Sequence, residues 1–242
     1  EQMPEIDRYA MVSLADVVER VTRSYDEWKF HQVYRAVFDY CVVDLSSFYL
    51  DMLKDRLYSD GADSLSRRSA QTVLSHILAA LVRLVAPVLT FTSEEVWQFL
   101  PEALREGHPS VQLAGWPTVE VPVEEAARLR DSYRIVLEVR EIVTKALEDA
   151  RNAKVVNKSQ EAAVTIAGPA RMRAVIEERG LDAVAEMFIV SAVELAEDDD
   201  LSVTVAPASG QKCPRCWNYR EIGVDSTHPE VCGRCAAVLS AG

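Results

Sequence analysis

The stretch Phe30-His-Gln-Val-Tyr-Arg-Ala-Val-Phe-Asp-Tyr-Cys-Val-Val-Asp-Leu-Ser-Ser-Phe-Tyr-Leu-Asp-Met-Leu-Lys-Asp-Arg-Leu-Tyr58 decides the fold. Its apolar positions Val33, Val37, Tyr40, Cys41, Phe48 and Met52 recur at helical spacing. At a rise of about 1.5 Å per residue, one helix over this range is roughly 43 Å long, longer than a typical globular helix. Asp44 falls on the apolar stripe, so it needs a hydrogen-bonding or basic partner if buried. On one side, Asp7 to about Trp28 repeats the pattern through Tyr9, Val12, Leu14, Val17, Val18 and Val21. On the other, after the loop Ser59-Asp-Gly-Ala-Asp-Ser64, a third helix over 65–86 carries Val73, Leu74, Ile77, Leu78, Leu81 and Leu84. Ala86-Pro87 ends or kinks it, and Thr92-Ser-Glu-Glu95 reads as a capping box opening a fourth helix. Helices of this length and order pack as an antiparallel bundle.

Beyond the bundle the pattern changes. Pro101, Pro109, Pro117 and Pro122 mark an extended connection over 101–122. A long helix over 123–153 follows, with Leu129, Ile135, Val136, Val139, Ile142, Val143 and Leu147 on its apolar side. Stretches 162–167, 188–195 and 201–205 then alternate as strands around a helix over 170–179. The predicted fold is mainly α: a helical bundle over 1–118, a long helix with a small α/β domain over 119–208, and a metal-stapled segment over 209–242.

The charge of −12 over 242 residues excludes a uniformly basic nucleic-acid binder. It is unevenly spread: residues 171–200 hold three arginines and nine acidic side chains, whereas from Ser209 onward four basic residues outnumber three acidic ones. A local patch can therefore still meet phosphate. The run Glu197-Asp-Asp-Asp200 reads as a solvated turn between strands. Glu1-Gln-Met-Pro-Glu-Ile6 lacks the basic and apolar regions of a signal peptide, and the apolar stretch 77–89 is too short and interrupted to span a bilayer. The cytoplasm is the expected compartment.

Cysteine spacing carries the chemistry. Cys213-Pro-Arg-Cys216 and Cys232-Gly-Arg-Cys235, separated by fifteen residues, can bring four thiolates to one tetrahedral zinc ion. Four protein ligands leave no open position for water, so the ion is structural. His228 lies near enough to compete, but four sulfurs complete the shell. Cys41 reads as a small buried hydrophobe. Around the first knuckle, Arg215, Trp217, Tyr219 and Arg220 set cations beside aromatics, a combination suited to unpaired RNA. The competing reading has Trp217 covering the metal site as its miniature core.

With these motifs in order, the chain resembles the C-terminal part of bacterial isoleucyl-tRNA synthetases. The resemblance rests on Lys212-Cys-Pro-Arg-Cys-Trp-Asn-Tyr219 with Cys232-Gly-Arg-Cys235, and on Phe30-His-Gln-Val-Tyr-Arg-Ala-Val37. Cys41-Val-Val-Asp-Leu-Ser-Ser-Phe-Tyr-Leu-Asp51, Lys54-Asp-Arg-Leu-Tyr58, Arg67-Arg-Ser-Ala-Gln-Thr-Val-Leu74 and Asn157-Lys-Ser-Gln-Glu-Ala162 extend it over nearly the whole chain. It implies an anticodon-binding helical domain, a small junction domain and a terminal zinc segment. The family's His-x-Gly-His and Lys-Met-Ser-Lys-Ser motifs are absent and no stretch remains for an editing domain, so the chain is expected to be a fragment of a larger enzyme. The resemblance implies isoleucine–tRNA ligation by the complete protein, with ATP confined to the missing catalytic domain. To this fragment it leaves a non-catalytic role, binding isoleucine tRNA, as a monomer and without DNA or membrane partners.

Arg67, Arg68 and Gln71 at the start of the third helix can reach anticodon-loop phosphates or base edges, or form a solvated helix start paired with Asp60 or Asp63. Lys54 and Arg56 are expected to pair with Asp51, Asp55 or Asp44. Two other classes share parts of the pattern. DNA-repair glycosylases carry a comparable terminal zinc finger, with Pro4-Glu5 here a faint echo of their catalytic N-terminus; a zinc-bearing adaptor protein would use the bundle to bind protein. The long bundle argues against the glycosylase, and loss of RNA binding on removing the zinc segment would count against the adaptor.

Overall fold

A computed structural model describes residues 3–241 and divides into two compact units, Glu1–Asp51 with Asp63–Leu129, and Met52–Ala62 with Arg130–Gly242. In the first unit, helix α1 (Glu5–Asp26) begins directly after Pro4. Glu5 and Asp7 in its first turn complement the helix dipole. Val12, Leu14, Val17, Val18 and Val21 are buried as the sequence predicts and Ile6 and Ala10 join them, while Tyr9 is half-buried. Trp28, with φ of 57° in the left-handed region, turns the chain into the next helix.

The expected helix over 30–58 is continuous, but its middle is widened. Helix α2 (Phe30–Asp39) passes into a π-helical stretch (Tyr40–Tyr49) and then α3 (Leu50–Ser59). The Ser46 and Ser47 hydroxyls donate to the carbonyls of Cys41 and Val42, five residues back, at 2.7 and 2.8 Å. Simple 3.6-residue periodicity does not foresee this. Tyr49, at the end of the widened stretch, donates its hydroxyl to Asp7 Oδ1 at 2.8 Å, and so gives a fully buried carboxylate a partner. Asp44 is only half-buried. Burial and the neighbouring Asp39 charge raise its carboxyl above the usual range, against the pull of Arg20. Cys41 is half-buried, and burial pushes its thiol up.

Helix α4 (Leu65–Val85) is capped by Ser64, whose Oγ accepts from the Arg67 amide at 3.2 Å. The predicted capping box at Thr92 does not form. Helix α5 (Thr90–Phe99) already starts at Thr90, whose hydroxyl donates to the Ala86 carbonyl at 3.0 Å. Glu94, within the helix, accepts from Ser110 Oγ and the Val111 amide at 2.7 and 3.1 Å, bonds that hold its carboxyl below the usual range. The region 101–122 is correspondingly more than an extended connection. It contains the short helix α6 (Glu102–Arg105) and a 3₁₀ turn (Val111–Leu113), and Val111 packs in a cluster with Val82, Ala86, Trp97 and Leu100. Trp97 is fully buried, donates its indole N–H to the His108 carbonyl at 3.0 Å, and lies under Arg83, 5.2 Å from the ring centroid. A buried indole with a satisfied donor fixes a proline-rich segment that periodicity alone reads as unstructured.

Helix α7 (Val123–Asn152) runs close to its predicted bounds. The second unit then builds a three-stranded sheet of β1 (Ala162–Gly168), β2 (Ala192–Glu197) and β3 (Ser202–Pro207), in order β2-β1-β3. β2 pairs parallel and β3 antiparallel to β1. A parallel pair needs a crossover, and it contains two helices where the sequence predicts one: α8 (Ala170–Glu178) and α9 (Leu181–Phe188). The apolar run from Phe188 is thus split. Phe188 closes α9, Ile189 takes a left-handed φ of 58°, and the strand begins only at Ala192. Glu197 ends β2, and Asp198, Asp199 and Asp200 lie in the exposed link to β3, as expected of a solvated turn. The hairpin β4 (Gln211–Lys212) and β5 (Tyr219–Arg220) and helix α10 (Gly233–Ala241) complete the chain.

Candidate metal centre

The four cysteines of the two knuckles converge. Cys213, Cys216, Cys232 and Cys235 are buried, and their sulfurs all lie within 4.8 Å of one another. The Cys216 and Cys232 sulfurs are 3.8 Å apart. A zinc–sulfur bond of about 2.3 Å in a regular tetrahedron requires a sulfur–sulfur edge of about 3.8 Å, so the donor set fits one structural zinc ion. His228 stands aside: its backbone amide donates to Asp225 and its Nδ1 lies 3.8 Å from Glu230.

Local backbone geometry makes the first knuckle. The amide of Trp217 donates to the Cys213 carbonyl at 2.9 Å, and the Cys213 amide donates to the Asn218 carbonyl at 2.9 Å. Closing so tight a loop puts Trp217 at φ 65°, in the left-handed region. On the flank, Gly210 has φ 92°, and a Cβ there would sit 2.7 Å from the Arg220 carbonyl oxygen; only glycine permits the β4–β5 hairpin to close. Burial opposes ionisation of Cys213, but the amides of Cys216, Cys232 and Arg215 outweigh it and bring its thiol down to about 6. Burial pushes Cys216 and Cys235 up, and the charge of neighbouring thiolates adds to this. A divalent cation would relieve that mutual repulsion.

The aromatic and basic residues flanking the knuckle have separate fates. Trp217 is not part of the buried cluster around the four cysteines: the residue is 56% exposed. The ammonium groups of Lys212 and Lys158 approach its ring at 5.7 and 6.0 Å from the centroid. Arg215 turns inward, donating to the Ser59 carbonyl and lying 3.7 Å from Cys235 Sγ. Tyr219 and Arg220 are half-buried in β5, with the Tyr219 amide donating to Ser191 Oγ at 2.7 Å. In the other unit, Arg68 is exposed at the first turn of α4 with Nη1 3.4 Å from Gln71 Oε1, while Arg67 is half-buried. Lys158 and Lys212 were not among the sequence candidates. Lys212 adjoins Cys213 and was open to notice; Lys158 lies 59 residues before Trp217 and meets it only through the fold. Asp55 pairs with Arg234 of the second knuckle.

The family profile for the anticodon-binding domain of tRNA ligases matches residues 7–166. The chain belongs to that family. A second profile, described as the zinc finger found in FPG and IleRS, matches residues 210–238, the segment holding all four cysteines. This finger is shared by both protein classes raised by the cysteine spacing, and the anticodon-binding match over the bundle separates them. Isoleucine–tRNA ligases of Syntrophotalea carbinolica and Moorella thermoacetica are similar at 45% and 42% identity over 251 and 255 residues, covering 99% of this chain. That of Caldicellulosiruptor saccharolyticus is 40% identical over 242 residues, again over 99% of the chain. This anticodon-binding chain spans about a quarter of the length of those relatives, 27%, 27% and 26% respectively. Among the described residues no helix is long and apolar enough to cross a membrane.

Proposed function

We propose that this chain is the tRNA-reading part of an isoleucine–tRNA ligase, and that it binds the anticodon stem-loop of isoleucine tRNA without performing chemistry itself. The observation that carries the reading is the anticodon-binding match over residues 7–166, joined in one chain to a zinc finger that holds an indole out to solvent. Cys213, Cys216, Cys232 and Cys235 would hold the zinc, which supplies shape and no catalytic step. Trp217 offers a stacking face for an unpaired base, and Lys158 and Lys212 stand where the flanking phosphates would be gripped. Arg68 and Gln71 present a second polar group on the bundle, with Arg67 beside them; Tyr219 and Arg220 border the indole. Arg215 serves the fold of the ribbon rather than RNA, because both its contacts are internal.

The division into bundle (1–118), junction (119–208) and zinc segment (209–242) is kept as a functional one. In the complete ligase, ATP-dependent attachment of isoleucine would occur in a catalytic part outside these residues, and docking here would help place the acceptor end there. The cytoplasm and a monomeric state belong to the same reading. A filter-binding titration with isoleucine tRNA and an anticodon-swapped counterpart tests it. Tighter binding of the native anticodon is expected; equal affinities would sink anticodon reading.

A further inference from the structure

Each zinc knuckle carries an arginine immediately before its second cysteine, Arg215 in one and Arg234 in the other. Both reach the same short segment of chain, more than 150 residues away in sequence. Arg234 Nη1 donates to Asp55 Oδ2 at 2.5 Å and its Nη2 to Asp60 Oδ1 at 2.8 Å. Arg215 donates to the carbonyl of Ser59, the last residue of α3. The Val238 side chain of α10 comes within 3.9 Å of where a Cβ on Gly61 would stand.

The chemistry of the contact is specific. The last carbonyls of a helix lack intrahelical partners and carry the negative end of its dipole, so a cation there is favourable. A guanidinium fork can serve two carboxylates at once, which an ammonium does less well. Glu186 of α9 adds a third carboxylate; burial raises it and Arg234 opposes that rise. Neither arginine has a fixed position unless the knuckles are formed, and the ribbon's buried cluster consists of the four cysteines with Val231 and Ala236. So small a cluster depends on metal.

We infer that the two knuckle arginines are a metal-dependent clasp, through which zinc loading holds the segment Met52–Ala62 in place. Zinc thereby orders residues far from its ligands in sequence, and Arg234 is a positioning residue that acts through Asp55 and Asp60. The inference stands whether or not the chain reads an anticodon.

Hydrogen–deuterium exchange on the whole chain, zinc-loaded and metal-stripped, tests it. Stripping should speed exchange of the amides in 52–62 by roughly tenfold or more, the factor implied by losing one charge-assisted hydrogen bond, while α1 amides stay unchanged. Arg234→Gln should reproduce that loss at full zinc stoichiometry. Asp60→Asn, which leaves the ribbon untouched, should act in the same direction and carries the test if the first variant does not fold. Unchanged exchange over 52–62 on stripping overturns the clasp. So does parallel loss of zinc in Arg234→Gln, which would make the arginine part of the metal site itself.

Discussion

Replacing Trp217 separates the two roles its position allows. If the indole served as the ribbon's core, Trp217→Ala would unfold the ribbon and release zinc. The structure argues otherwise, since the residue is 56% exposed. A large aromatic buries up to about 250 Å² when fully enclosed, so the covered fraction is on the order of 110 Å², an upper limit of about 3 kcal/mol at 25 cal/mol per Å². Zinc in small thiolate peptides contributes about 10–16 kcal/mol, so the knuckles should survive the loss. Trp217→Gly should be the more stable of two variants by about 1 kcal/mol, because glycine relieves the left-handed φ of 65° that alanine retains. Stacking of one base is worth about 1–3 kcal/mol, so both variants should bind isoleucine tRNA roughly 5- to 150-fold more weakly. Affinity is read by filter binding, zinc by metal analysis of the same samples, and stability by chelator competition. Wild-type affinity in either variant refutes the stacking role; zinc loss in step with affinity restores the structural one.

Three further outcomes are expected. Chelating the zinc should remove the ordered structure of residues 210–238 and α10 while leaving nearly all the helical circular dichroism, since the long helices bury their own apolar faces; collapse of the whole spectrum would contradict this. Trp97→Ala should destabilise the first unit by about 3–5 kcal/mol in urea unfolding, through the cavity left and the orphaned His108 carbonyl. Glu186→Gln should gain stability relative to wild type as pH rises. Burial raises this carboxyl in the folded state, so the fold binds its proton more tightly than the unfolded chain, and stability is lost as pH climbs through the raised value. Below the usual carboxylate range the two proteins should melt together, and a difference that shrinks with rising pH would reverse the assignment.

Much of this protein is a direct consequence of its sequence. Apolar residues three and four apart specify α1, α4 and α7 almost to their observed ends, because a long amphipathic face can be buried in few ways. Cysteine spacing specifies the metal centre because knuckle geometry is local and needs only the two CxxC pairs to meet. Where tertiary contacts compete with local preference, the sequence alone misleads. Thr92 has a capping pattern with Glu95, yet the helix starts two residues earlier, at Thr90, whose hydroxyl bonds back to the Ala86 carbonyl. Phe188 to Ser191 are apolar enough for a strand, yet a left-handed Ile189 ends a helix there.

The deciding difference concerns the arginines and the indole. Arg215 and Trp217 stand two residues apart and look alike as RNA contacts by composition. The left-handed turn at Trp217 sends its ring out to Lys158 and Lys212, while Arg215 points back to the end of α3. Which neighbour each meets depends on elements 59 and 156 residues distant, and no local pattern encodes a meeting across such separations. The sequence by itself determined a helical chain bearing a thiolate zinc site. Only the tertiary structure decided which side chains that site holds inward and which it presents to solvent.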